Sequence, residues 1–145
     1  MIEIKKFLFN SKKLMKSAHS IRHNVFVIGQ KCPAELEYEF EEESTHFILI
    51  NNNNNPVATA RHRKTQKGFK LERFAVIDSE RGKGYGMMIL NAILDDLKRE
   101  KEIKYLHAQI QVTEFYEKVG FIKIGDLFEE AGIQHYKMIY KESIL

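Results

Sequence analysis

In the hexapeptide Arg81-Gly82-Lys83-Gly84-Tyr85-Gly86, glycine occupies every second position, with an arginine and a lysine among them. Glycine lets a backbone turn tightly and lets a bulky group approach its N–H groups. Behind the loop, Ile89, Leu90, Ile93, Leu94 and Leu97 share one face, the spacing of a helix. A strand, a glycine turn and a helix N-terminus together seat an anion, because the helix end adds partial positive charge. Arg81 and Lys83 can neutralise further phosphate charge. The alternative is a plain glycine turn, but alternate glycines beside two cations exceed what turn geometry requires. Spacing also excludes two phosphate binders. A P-loop needs Gly-Lys-Ser/Thr after four intervening residues, which is lacking here. A dinucleotide fold needs Gly-x-Gly-x-x-Gly after the first strand of a parallel unit, whereas this loop follows a strand that reads as third in an antiparallel run.

Other side chains invite chemistry with less spacing behind them. Arg61-His62-Arg63 could hold an anionic group or form a solvated strand face. His46, His107 and His135 could serve as bases or as satisfied structural groups. Cys32 has no motif pairing it with a base and reads as a spectator thiol. Neither it nor the histidines show metal-ligand spacing, so no metal is expected.

The elements that must position these residues are legible in order. Ile2, Ile4 and Leu8 alternate with charges as a first strand ending at Asn10-Ser11. Ser11 can cap a helix whose stripe is Leu14, Ala18, Ile21 and Val25. Pro33 to Glu43 is acidic and reads as a short second helix or a loop. Thr45 to Ile50 and Pro56 to Arg63 are strands joined by the asparagines 51–55, which tolerate a tight hairpin loop. Gln66-Lys67-Gly68 turns into a strand from Phe69 to Val76. After the glycine loop and its helix come a strand at Tyr105 to Gln109, a short helix at Thr113 to Val119 stopped by Gly120, and strands at Phe121 to Ile124 and His135 to Tyr140. This is a mixed α/β order without a linker or internal repeat.

A length of 145 residues fits a single domain spanning 1–145. One cysteine points to a reducing, cytoplasmic setting. The apolar runs are too short for a bilayer, and Met1 to Phe9 does not resemble a signal peptide. A net charge of +3 is mild, and no basic arm or aromatic-basic face marks a nucleic-acid binder.

Arg81, Gly84 and Gly86 match the pattern Arg/Gln-x-x-Gly-x-Gly/Ala, and Phe115-Tyr116-Glu117-Lys118-Val119-Gly120-Phe121 is similar to Phe/Leu-Tyr-x-Lys-x-Gly-Phe. With Leu71-Glu72-Arg73-Phe74-Ala75-Val76 ahead of them, these segments resemble the GNAT superfamily of acetyl-CoA-dependent N-acetyltransferases. Arg22 to Val27, Gln30, Pro33 to Glu35, His46, Ala108-Gln109 and Gly132 to His135 are similar to its ElaA/YjcF-like branch. Gly29 departs from that branch, which usually has a glutamate there, so no acidic role is carried to that position.

The resemblance implies an α+β fold with a mostly antiparallel sheet of six to seven strands and about four helices. Strands four and five would splay to admit the pantetheine arm of acetyl-CoA. It further implies that Phe74, Ala75 and Val76 meet that arm, that Arg81, Gly82, Lys83, Gly84, Tyr85 and Gly86 hold the pyrophosphate, and that Gln109 and Lys118 line the cofactor. Tyr116 stands where the family places the acid that protonates the departing thiolate; read structurally, it is a core aromatic. Glu72 is the candidate base for the amine or a strand salt bridge. Arg22, Glu35, His46, Arg61, Arg63 and His135 are candidate acceptor contacts. The acceptor expected is a small-molecule amine, such as the phosphorylated amino sugar glucosamine 6-phosphate, with a polyamine or protein amine as the alternative. A non-catalytic acyl-CoA sensor is the rival class, neither nucleic acid nor membrane is an expected partner, and a homodimer is left open.

Overall fold

The computed structural model describes residues 1–29 and 39–144. Its elements are β1 Glu3–Phe7, α1 Lys12–Arg22, β2 Thr45–Ile50, β3 Pro56–Thr65, β4 Gly68–Val76, α2 Tyr85–Asp96, β5 Lys104–Gln109, α3 Thr113–Glu117, β6 Phe121–Glu130 and β7 Ile133–Tyr140. The strands form one mixed, mostly antiparallel sheet of seven in the order β1-β2-β3-β4-β5-β7-β6, with β4 and β5 parallel. The chain divides into two compact units, Met1–Arg63 with Arg73–Arg99 and Lys64–Glu72 with Glu100–Leu145. Three α-helices lie among the described residues, where the sequence suggested about four; most of the acidic stretch falls outside them.

In the first unit, α1 buries Met15, Ala18 and Ile21 and continues without a break into a π-helical stretch, His23–Gly29, that buries Val25 and Phe26. These residues pack with Phe7, Ile48 and Ala75, while Leu14 is only partly buried beside them. Each large apolar side chain so buried contributes about 1.5–3 kcal/mol. Ser11 stands at the N-cap, but its side chain makes no capping bond; its carbonyl instead accepts from the Met15 amide at 2.9 Å. The β2–β3 turn is fixed by Asn51, whose buried side-chain oxygen accepts from the amides of Asn53 and Asn55, both at 3.0 Å.

In the second unit, Gly68 opens β4 against the chain leading into β5. A β-carbon there would lie 2.2 Å from the Ile103 carbonyl oxygen, so only glycine fits. The Phe69 amide donates to that carbonyl at 2.8 Å, and the parallel register follows as Phe69↔Lys104 and Lys70↔Tyr105. β6 runs six residues beyond the expected Ile124, to Glu130. Gly125 takes a φ of 76° within an irregularity, after which pairing resumes at Phe128↔His135. α3 ends at Glu117 rather than Val119, and Gly120 follows at a φ of 117°.

Candidate functional site

The glycine loop takes the form its sequence demands. Gly82 and Gly84 adopt φ of 83° and 81°, and a β-carbon on either meets no heavy atom within 4 Å. Their outer side is therefore open to an incoming group. Gly84 is the N-cap of α2, and its carbonyl accepts from the Met88 amide at 3.1 Å. Tyr85 is buried, which anchors the first turn, and Gly86 follows it in the helix. The loop's cations have carboxylate partners: Arg81 lies 3.3 Å from Asp78 and Lys83 is bonded to Glu80. Arg81 also donates through Nε to the Val76 carbonyl at 3.3 Å, tying the loop to the end of β4. Along that strand Ala75 is buried while Phe74 and Val76 are partly exposed. Arg73 just before them takes a φ of 60°, a left-handed conformation costly for a non-glycine residue.

Three of the expected acceptor contacts converge in the first unit, on a residue the sequence did not single out. Glu41 is buried, and Arg22 donates to both of its oxygens. Arg61 Nη1 donates to Oε2 at 3.1 Å, His19 Nε2 lies 2.9 Å from Oε1, and His46 Nε2 lies 3.6 Å from Oε2. His46 also stacks on Phe7, with ring centroids 5.4 Å apart. Burial alone would push the Glu41 carboxyl up; Arg22 by hydrogen bond and charge, then Arg61 and His19, outweigh it and hold it below its ordinary value. Burial pushes His46 down, reinforced by the two guanidinium charges against the pull of Glu41, so the ring is neutral near neutral pH. Glu41 is one of three consecutive glutamates, of which Glu42 and Glu43 are exposed, and nothing in their order says which one turns inward. With Phe9, His19, Phe40, Glu42 and Glu43 it lines a surface pocket of about 440 Å³.

The solvated-face reading of Arg61-His62-Arg63 does not hold, because Arg61 and His62 are buried. His62 pairs with Asp96 at 2.9 Å, and the Arg63 guanidinium sits 3.8 Å above the Phe40 ring. Glu35 and Cys32 lie outside the described residues.

In the second unit, α3 buries Tyr116 edge-on between Phe115 and Phe121, at 5.0 and 5.9 Å between ring centroids. Burial raises its phenol, which stays protonated across the working pH range. Lys118 is exposed, and Gln109 accepts through Oε1 from Gln111 at 2.6 Å. Glu72 is in an ion pair with Lys70 at 3.4 Å. His135 is buried and donates from Nδ1 to the Ile133 carbonyl at 2.7 Å, with Nε2 3.8 Å from Glu130. Glu130 also meets His107 Nδ1 at 3.0 Å, and that hydrogen bond, ahead of the Lys70 charge, holds its carboxyl below the ordinary value despite partial desolvation. Glu130 had no signal in the sequence, because β6 reads as ending before it. Among the described residues no helix is long and apolar enough to cross a membrane, and no group of three or more His, Cys, Asp or Glu is placed to hold a metal ion.

Residues 13–142 match the acetyltransferase (GNAT) domain. The chain is 34% identical over 139 residues to the N-acetyltransferase YjcF of Bacillus subtilis, covering 94% of this chain and 99% of that protein. It is 30% identical to ElaA of Escherichia coli over 81% of either chain. The crystal structure of ElaA superposes with a TM-score of 0.84 over 94% of this chain and 98% of ElaA. An acyl-CoA N-acyltransferase from Pseudomonas aeruginosa shares the fold at a TM-score of 0.85, with 20% identity, over 96% of this chain and 99% of the other.

Proposed function

Because the chain belongs to the GNAT family of acetyltransferases, we propose that it moves an acetyl group from acetyl-CoA directly to a primary amine. The glycine loop carries this reading. Its glycines present an open, left-handed backbone at the head of a twelve-residue helix, which is what a pyrophosphate requires. Arg81 and Lys83 would exchange Asp78 and Glu80 for phosphate oxygens. The backbone of Phe74, Ala75 and Val76 would line the pantetheine arm, and one of its N–H groups would polarise the acetyl carbonyl. Gln109 and Lys118 would complete the cofactor contacts.

Tyr116 would supply the proton for the departing thiolate. A buried phenol is held neutral, as a donor must be, although the same burial makes it a weaker acid. Glu72 is the base that the family resemblance offers for the amine, directly or through water, and its ion pair with Lys70 is the competing strand role. Arg22, His46, Arg61, Arg63 and His135 support the acceptor side in this reading. Among primary amines, glucosamine 6-phosphate is set against polyamines and protein amines.

The test is thiol release from acetyl-CoA with a panel holding all three acceptor kinds. At least one amine should raise release above the amine-free rate. Tyr116→Phe should then lower kcat and kcat/KM together by about 10²–10⁴-fold, with stability changed by only about 1 kcal/mol. No turnover with any amine, despite tight CoA binding, would leave an acyl-CoA sensor instead.

A further inference from the structure

The second unit separates its reactive groups by the two faces of its sheet. Tyr116 packs on Phe121, whose register partner is Tyr140. Strand alternation puts Met138 and Tyr136, and across from them Leu106 and Ala108, on that same face. His107 pairs with Lys137 and Gln109 with His135, so these four side chains occupy the opposite face. Phe128, opposite His135, shares it, as do Lys70, which pairs with Tyr105, and Glu72 two residues on. A thioester whose sulfur is served by Tyr116 on one face leaves its carbonyl to be attacked from the other.

On that other face His107 is built as a base. A carboxylate only accepts, so the 3.0 Å contact with Glu130 places the ring hydrogen on Nδ1 and leaves the lone pair on Nε2. Phe128 stands edge-on to the ring at 5.0 Å between centroids and Tyr105 lies 6.0 Å away, which fixes its plane. Its side chain is 22% exposed, enough for a ligand to reach it. The neighbouring candidates are committed: His135 is 8% exposed and gives Nδ1–H to the Ile133 carbonyl, and Glu72 faces the Lys70 ammonium. The charged groups on this face are Lys70 and Glu72 from β4, His107 from β5, His135 and Lys137 from β7, and Glu130 from β6.

Resting on the acetyl-transfer reading above, we propose that His107 is the catalytic base that deprotonates the acceptor ammonium, and that Glu130 is the residue that positions it. An alkylammonium is almost wholly protonated near neutral pH and cannot attack. His107 Nε2 takes one of its three protons and passes it to solvent. The amine nitrogen then bonds to the acetyl carbon as the carbon–sulfur bond breaks. A second proton leaves the nitrogen for solvent as the amide forms, Tyr116 gives one to sulfur and regains one from solvent, and the third stays on the amide.

The test compares ethylamine with trifluoroethylamine, near-isosteres of which the first is an ammonium near neutral pH and the second mostly free base. His107→Gln should lower kcat/KM for ethylamine by about 10²–10⁴-fold and for trifluoroethylamine far less. Glu130→Gln should show the same bias at smaller size, with KM for acetyl-CoA unchanged. Equal losses for both amines would mark a structural role and overturn the proposal, as would unchanged rates. Should His107→Gln fail to fold, the Glu130→Gln bias alone decides. A wild type that turns over neither amine, nor any in the acceptor panel, would overturn the acetyl-transfer reading and this assignment with it; wild-type turnover without the bias overturns the assignment only.

Discussion

Glu41 and Glu130 are each approached by two histidines, yet their surroundings put them to opposite uses. The side chain of Glu41 is 6% exposed and is closed in by Arg22 and Arg61, which hold their charge at any working pH. That of Glu130 is 46% exposed and makes its close contact with His107, a residue type whose charge changes near neutrality. A carboxylate held by guanidinium groups fixes α1, β2 and β3 in place. One held by an imidazole orients a ring that can take up and release a proton. Carboxylate chemistry is the same in both; burial and the identity of the cation decide the role.

The largest expected effect breaks the first of these. Glu41→Gln leaves buried guanidinium charge uncompensated and should cost about 3–5 kcal/mol, read as a fall in the urea midpoint. A loss under about 1 kcal/mol would mean that the cluster is not holding the elements together.

Acid comes next. Glu41 is held below its ordinary value of 4.5, so its contribution is full above that pH and is lost as pH falls through the lower, folded value. His46 is held below 6.5, so the unfolded chain takes up a proton before the folded one does, and stability present above that pH also declines below it. Urea midpoints should therefore decline below about pH 6.5 and more steeply below about 4.5, and Glu41→Gln should remove the lower step. A flat profile over that range would detach both groups from stability.

Asn51 supplies a neutral reference within the same unit. Asn51→Ala leaves two turn amides without their side-chain acceptor and should cost about 1–2 kcal/mol without the acid dependence. Smallest of all, Glu130→Gln should change stability, read from the urea midpoint, by no more than about 0.5 kcal/mol, as an exposed substitution does. A large loss there would make the two carboxylates alike and end the contrast.

What could be read from the sequence follows the range over which each signal acts. β2 is legible to its end residues because Thr45 to Ile50 is one apolar run closed by asparagines, and the turn of the glycine loop because alternate glycines allow its left-handed backbone. Arg22, His46 and Arg61 could be named, but not their meeting point, since Glu41 differs from Glu42 and Glu43 only in which way it faces. The apolar alternation of β6 stops at Ile124, ahead of Gly125 and Asp126, while tertiary pairing with β7 carries the strand through them. Losing that half of β6 hid Glu130, and with it the carboxylate that orients the His107 ring.

The ion pairs of the glycine loop bear on how fast a ligand arrives. Arg81 with Asp78 and Lys83 with Glu80 sum to no net charge, so the loop projects little long-range field. An approaching polyanion is then not steered from a distance, and its association rate should respond only weakly to ionic strength. On the acetyl-CoA reading proposed above, attraction would begin at contact, as phosphate oxygens replaced the two carboxylates, and discrimination among anions would fall to dissociation rather than to encounter.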